Sequence, residues 1–225
     1  MNARLSVPIL MLASSLTLGA AALAPAASAA SPNPATVQPK TTAPNAAADL
    51  SDAAIVAKLR GWGLPTGLAS SMNAENVRAL CVWRELNGKT ATRKAPTSVE
   101  RATIAAASGV LVFAVPQALR NVPLMTNSTC QTAIYQTGGT VIRVIPISTG
   151  KFQGGTRKNG MFRVFAKSPG WQSSPSFPDK FGRPNIYNGI YFFGPLAIHG
   201  SPDPIKPYPQ SHGCTRTKPS DQDWL

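Results

Sequence analysis

From about residue 122 onward, glycine and proline interrupt the chain every eight to twelve residues, leaving short runs rich in β-branched and aromatic side chains. CQTAIYQ and TVIRVIPIS flank Thr137-Gly138-Gly139, the signature of a hairpin. GMFRVFAK starts at Asn159-Gly160, and GIYFFG and LAIHG follow. Such punctuation leaves no room for the helical crossovers that parallel strands require. The expected fold of residues 122–225 is therefore mainly β, a sandwich or barrel.

The preceding stretch has a different period. In LSDAAIVAKLRGWGL, Ile55, Val56 and Leu59 fall on one helical face, and Gly61 or Gly63 ends the run. Asn73 is placed to cap a second helix, AENVRALCVWREL, closed by Asn87-Gly88. Residues 49–97 thus read as a small helical region, either a peptidoglycan-binding-like module or a plain spacer. Residues 98–121 form a connector of mixed character. In it SVERATIAAASG suits a helix and VLVFAV suits a strand.

The N-terminus reads as a secretory signal over residues 1–29. Arg4 precedes the apolar run LSVPILMLASSLTLGAAALA, and Ala27-Ser28-Ala29 supplies a cleavage site. Residues 30–48 are rich in Pro, Ala and Thr without periodicity, as in an extended tether. The expected product is secreted to the cell-wall side of the membrane, with no stable membrane insertion once the signal is removed. At the other end the chain stops at Leu225 inside the amphipathic stretch DQDWL, which suggests a C-terminal truncation.

Charge and residue inventory exclude several functions. The formal net charge is +13, but the basic groups are dispersed. A nucleic-acid binder concentrates them on one element, so no nucleic-acid partner is expected; a diffuse excess suits an anionic polymer surface. Residues 101–225 contain no Glu and only four Asp, which makes a paired-carboxylate glycosidase hard to assemble. The HExxH, P-loop and GxGxxG patterns are absent, and no cofactor is implied.

The two histidines of the chain, His199 and His212, both lie within 15 residues of Cys214. A thiol is nucleophilic as its thiolate, and a nearby imidazole can take its proton. In Ser211-His212-Gly213-Cys214 a glycine directly precedes the thiol, so successive backbone N–H groups can turn toward one developing oxyanion. Zinc ligation by these three residues is an alternative, but the H-G-C spacing resembles no usual metal motif and lacks a fourth ligand. A purely structural role for the histidines is another. Three cysteines allow one disulfide; Cys81–Cys130 is the expected pair with Cys214 free, and two buried free thiols are the alternative.

AIHGS at 197–201 followed by SHGCTR at 211–216 resembles the signature of the L,D-transpeptidase (YkuD-type) catalytic domain. Ser148-Thr149-Gly150, Thr156 leading into GMFRV, and the Trp171–Ser174 stretch support it. TCQTAIYQ and LCVWREL resemble the secreted actinobacterial branch. The resemblance implies an enzyme that joins peptidoglycan stem peptides by 3→3 cross-links through a cysteine thioester. It implies Cys214 as nucleophile and His199 as base, oriented by the backbone carbonyl of Gly200. The backbone of His212, Gly213 and Cys214 would face the oxyanion. Ser211 and Arg216 would contact substrate, and residues 167–194 would form a flap with Trp171, Tyr187 and Phe193 lining it. It also implies fifteen or more residues beyond Leu225, ending in a final strand. The same site would serve an L,D-carboxypeptidase, and a catalytically inactive wall-binding protein is the reading from another class.

Overall fold

A computed structural model describes the backbone of residues 8–12 and, with side chains, residues 50–108, 115, 117–151 and 160–225. The tether at 30–48, the Ala27-Ser28-Ala29 site, Thr156 and most of VLVFAV lie outside the described residues. After strand β1 (Pro8–Leu12), and ahead of a 3-10 turn at Gln117–Leu119, come three α-helices: α1 (Asp52–Gly61), α2 (Ala74–Leu86) and α3 (Ser98–Ala106). Each starts on a side chain that satisfies an otherwise unpaired amide. Ser51 Oγ accepts from Ala54 N, and Asn73 Oδ1 accepts from Glu75 N and Asn76 N. Thr97 and Glu100 form a reciprocal capping box. Helix α3 lies in the stretch read as a connector.

The remaining elements are strands, with a short final helix. One sheet has the order β4 (Thr140–Pro146), β3 (Thr132–Thr137), β2 (Leu124–Asn127), β1 (Pro8–Leu12), β5 (Gly160–Arg163). Strand β1, inside the stretch read as a signal, runs parallel to β2 and antiparallel to β5, so both of those edges are paired. The second sheet has the order β6 (Ala166–Gln172), β7 (Ile186–Phe193), β8 (Leu196–Gly200), β9 (Thr215–Thr217). The run GMFRVFAK divides between β5 and β6, one in each sheet. Helix α4 (Pro219–Trp224) follows β9, with proline at its first position.

Side-chain alternation assigns the two faces of the first sheet to two cores. Met125, Ile134 and Val144 point to one face, where they pack with Ile55, Leu59, Leu80, Trp83 and Ile104 of the helices. Leu124, Ala133 and Ile145 point to the other, where they meet Phe192 and Ile198 of the second sheet. The helical region therefore shares its core with the β-sandwich. A disulfide joins Cys81 of α2 to Cys130 in the turn between β2 and β3, both buried. Arg84 of α2 is held by Glu100 at 2.7 and 2.8 Å and by the carbonyls of Thr92, Lys94 and Ala95.

Candidate active site

Strands β8 and β9 are parallel neighbours, with His199 opposite Arg216. Directly paired residues share a face, and Cys214 lies two positions before Arg216. His199, Cys214 and Arg216 accordingly reach one side of the second sheet. All three line a cavity of about 240 Å³, together with Ser211, His212 and Gly213. Further lining comes from the loop between β6 and β7, through Ser174, Phe177 and Asn185, and from Ile186 and Tyr191 of β7, the strand next to β8.

His199 is 4% exposed, and its Nδ1 lies 2.9 Å from the Gly200 carbonyl. A carbonyl only accepts, so Nδ1 carries the proton and Nε2 keeps its lone pair. Burial lowers the imidazole pKa to about 4, against the opposing pull of the Gly200 carbonyl, and the Arg216 charge lowers it further. Cys214 is a free thiol and half-buried. Burial raises its pKa above 9.0, opposed by a backbone hydrogen bond from Ala197 and by the positive charge of Arg216. Both shifts favour the uncharged forms. At rest these are a neutral thiol and a neutral imidazole lining one cavity, and the thiol sulfur lies 3.8 Å from the Pro195 carbonyl.

The turn before Cys214 is braced from within and from behind. Ser211 Oγ donates to the Cys214 carbonyl and accepts from Gly213 N at 3.2 Å. Ser211 thus organises the turn, and the Gly213 N–H points at Ser211 rather than at a carbonyl in the cavity. Behind it, Ser148 and Arg216 exchange backbone bonds of 2.9 and 2.8 Å, and Gln210 N donates to Thr149 O. Ser148-Thr149-Gly150, which continues from β4, is therefore the floor under the segment that carries Cys214.

The aromatic residues assigned to the cavity from sequence divide. Trp171 and Tyr187 stack on one another at 4.8 Å, and neither belongs to the cavity wall. Tyr187 bonds instead to Asp223. Phe193 packs against Phe162 at 5.5 Å. The physical reason is a pair of register shifts in β7, one between Tyr187 and Ile190, where Asn188 has φ 47°, and one between Tyr191 and Phe193. Each breaks the simple alternation and changes which residues face the site. The aromatic groups at the cavity are Tyr191 and Phe177, and the Phe177 ring lies flat on His212 at 4.0 Å. Nothing in the local pattern SSPSFPDK marks Phe177, because its contact is made across the sheet.

Arg216 Nη1 lies 3.5 Å from Asp203, which also faces Arg183 at 3.7 Å, and Arg183 pairs with Asp179 at 2.9 Å. These charges link the loop over the cavity to the strand bearing Arg216. Among the described residues no group of three or more His, Cys, Asp or Glu is arranged to hold a metal.

Residues 124–225 match the family model YkuD, the L,D-transpeptidase catalytic domain. No curated protein matches the chain. Among solved structures, the chain is similar to an L,D-transpeptidase from Xylanimonas cellulosilytica, at 21% identity over 77% of this chain and 84% of that one, with a TM-score of 0.49. It is similar to an L,D-transpeptidase from Stackebrandtia nassauensis at 19% identity over 77% and 83%, TM-score 0.42. It is also similar to an L,D-transpeptidase from Mycobacterium smegmatis at 26% identity over 42% and 48%, TM-score 0.35.

Proposed function

We propose that this chain, whose residues 124–225 match the family model YkuD, the L,D-transpeptidase catalytic domain, is a secreted enzyme forming 3→3 cross-links in peptidoglycan through a thioester on Cys214. The observation that carries this reading is the sharing of one open cavity by the Cys214 thiol and the His199 ring, with Nδ1 of that ring held on a backbone carbonyl.

In the proposed reaction the Cys214 sulfur attacks the carbonyl of the third stem residue while its proton passes to Nε2 of His199. Negative charge then gathers on the carbonyl oxygen beside the turn at 212–214. Collapse of this intermediate breaks the bond to the terminal D-Ala, whose amine leaves with the proton from His199. The side-chain amine of a second stem attacks the thioester, returns its proton through His199, and regenerates the thiol. The backbone carbonyl of Gly200 serves where other sites use a carboxylate. Arg216, positively charged and set into the cavity wall, is suited to a substrate carboxylate.

Incubation with a carbapenem is the test. The intact protein should gain the mass of one covalent adduct, and Cys214→Ala should gain none. A folded wild-type protein that stays unmodified by it would overturn the proposal. Incubation with a tetrapeptide stem, with and without an acceptor stem, separates transfer from hydrolysis: a cross-linked dimer is expected, and a tripeptide alone would identify a carboxypeptidase.

A further inference from the structure

We propose that Gln131 is a positioning residue for the oxyanion-binding turn, acting through Thr149 and Ser211; this rests on the cysteine acyl-transfer reading above. Gln131 lies in the turn between β2 and β3, directly after the disulfide-bonded Cys130. It is fully buried, and its φ of 56° is in the left-handed region that a side chain rarely enters. Such a conformation is costly and persists only where surrounding contacts enforce it.

Those contacts lead to the nucleophile. The Gln131 amide Nε2 donates to Thr149 Oγ1 at 2.8 Å and to Ser128 O at 2.5 Å. Its Oε1 accepts from Thr149 N at 2.8 Å, and its backbone carbonyl accepts from Ile147 N at 3.0 Å. One side chain thus grips the amide and the hydroxyl of Thr149. The Thr149 carbonyl in turn accepts from Gln210 N at 3.0 Å and Ser211 N at 3.3 Å. Ser211 Oγ then ties Gly213 N to the Cys214 carbonyl. The sequence of bonds runs from Gln131 to the backbone of the turn through two intermediate residues. At its other end Cys130 is fixed to helix α2 by the disulfide, so the helical region holds the reference point for the turn.

A turn whose amides stabilise a developing oxyanion must be held to within about half an ångström. Gln131 touches neither the thiol nor the cavity, so its removal should affect only chemistry that uses the turn. Acylation passes through an oxyanion; alkylation of the thiol by iodoacetamide displaces iodide at a saturated carbon and forms none. The experiment compares the two rates at Cys214 in the whole chain, using a carbapenem and p-nitrophenyl acetate as acyl probes. Gln131→Met, close in length but unable to form these bonds, should lower acylation about 10–100-fold and leave alkylation within about twofold. Thr149→Val, which removes the Oγ1 link to Gln131 and keeps the Thr149 N–H that Gln131 Oε1 accepts, is the milder second variant should Gln131→Met not fold, and Thr149→Ser should retain the wild-type rate. Equal loss of both reactions, or no loss of acylation in a folded variant, would overturn the positioning role alone. A wild-type protein alkylated at Cys214 but acylated by neither probe would overturn the enzyme reading, and this role with it.

Discussion

Gly150 packs directly on Gly213: a methyl group added to Gly150 would stand 2.7 Å from the Gly213 Cα and 2.9 Å from its nitrogen. The neighbour is backbone, which cannot swing aside as a side chain does. Gly150→Ala should therefore displace the turn that carries Cys214, lowering carbapenem acylation at least ~10-fold, with a stability loss of about 1–3 kcal/mol typical of overpacking. Gly160→Ala is the control, since its nearest neighbour beyond the adjoining residues is the Phe162 ring at 3.9 Å. Stopped-flow acylation and thermal melts of both variants check this.

In the proposed reaction the working form of His199 is the neutral one, and burial favours that form down to about pH 4. The acid limb of acylation should fall near that value and not near 6.5, the ordinary imidazole value. His199→Gln should lower the rate by about 10²–10⁴ and abolish that limb. A pH–rate profile of both proteins from pH 3.5 to 8 reads the difference; a limb centred near 6.5 in the wild type would contradict it.

The same shift couples stability to pH. Between 6.5 and about 4 the unfolded imidazole binds a proton and the folded one does not. Protons therefore favour unfolding through that window. The contribution of His199 is complete above 6.5, declines as pH falls, and is lost below about 4. At about 1.4 kcal/mol per unit the change is about 3 kcal/mol. Urea titrations at pH 7.5 and 4.5 should show most of this loss in the wild type and not in His199→Gln.

Arg84 and Glu100 hold α2 and α3 together from inside the helical region. Its hydrogen bonds with Arg84 lower the Glu100 pKa to about 2, despite partial burial. Glu100 accordingly stabilises the fold above about 4.5 and loses this effect as pH falls through 2. Arg84→Met leaves an uncompensated carboxylate and should cost about 3–5 kcal/mol at pH 7, measured by urea unfolding. Acylation in the surviving folded fraction should be unchanged, because neither side chain lines the cavity.

Much of this site was legible in residue order. The two rare histidines near one cysteine pointed to this cavity, and LAIHG, read as a strand, is β8 and carries His199. The helix start at Asn73 was also readable, since caps act over three residues, whereas the caps at Ser51 and Thr97 emerged from the structure. Trp171 and Tyr187 show the limit. Alternation along GIYFFG is disturbed by the unusual backbone at Asn188, and no local residue pattern announces that.

The amino-acid order alone determined the strand rhythm, the helical faces and the clustering of both histidines near Cys214, because each is a pattern of residues close in the chain. Tertiary structure decided which aromatic rings meet the cavity, that Gly150 lies under Gly213, and that Gln131 reaches the nucleophile turn through Thr149. It also decided the protonation of the central pair. The physical reason is that depth from water and contact between distant backbones belong to the packed sheets and helices together, and no stretch of chain carries them by itself.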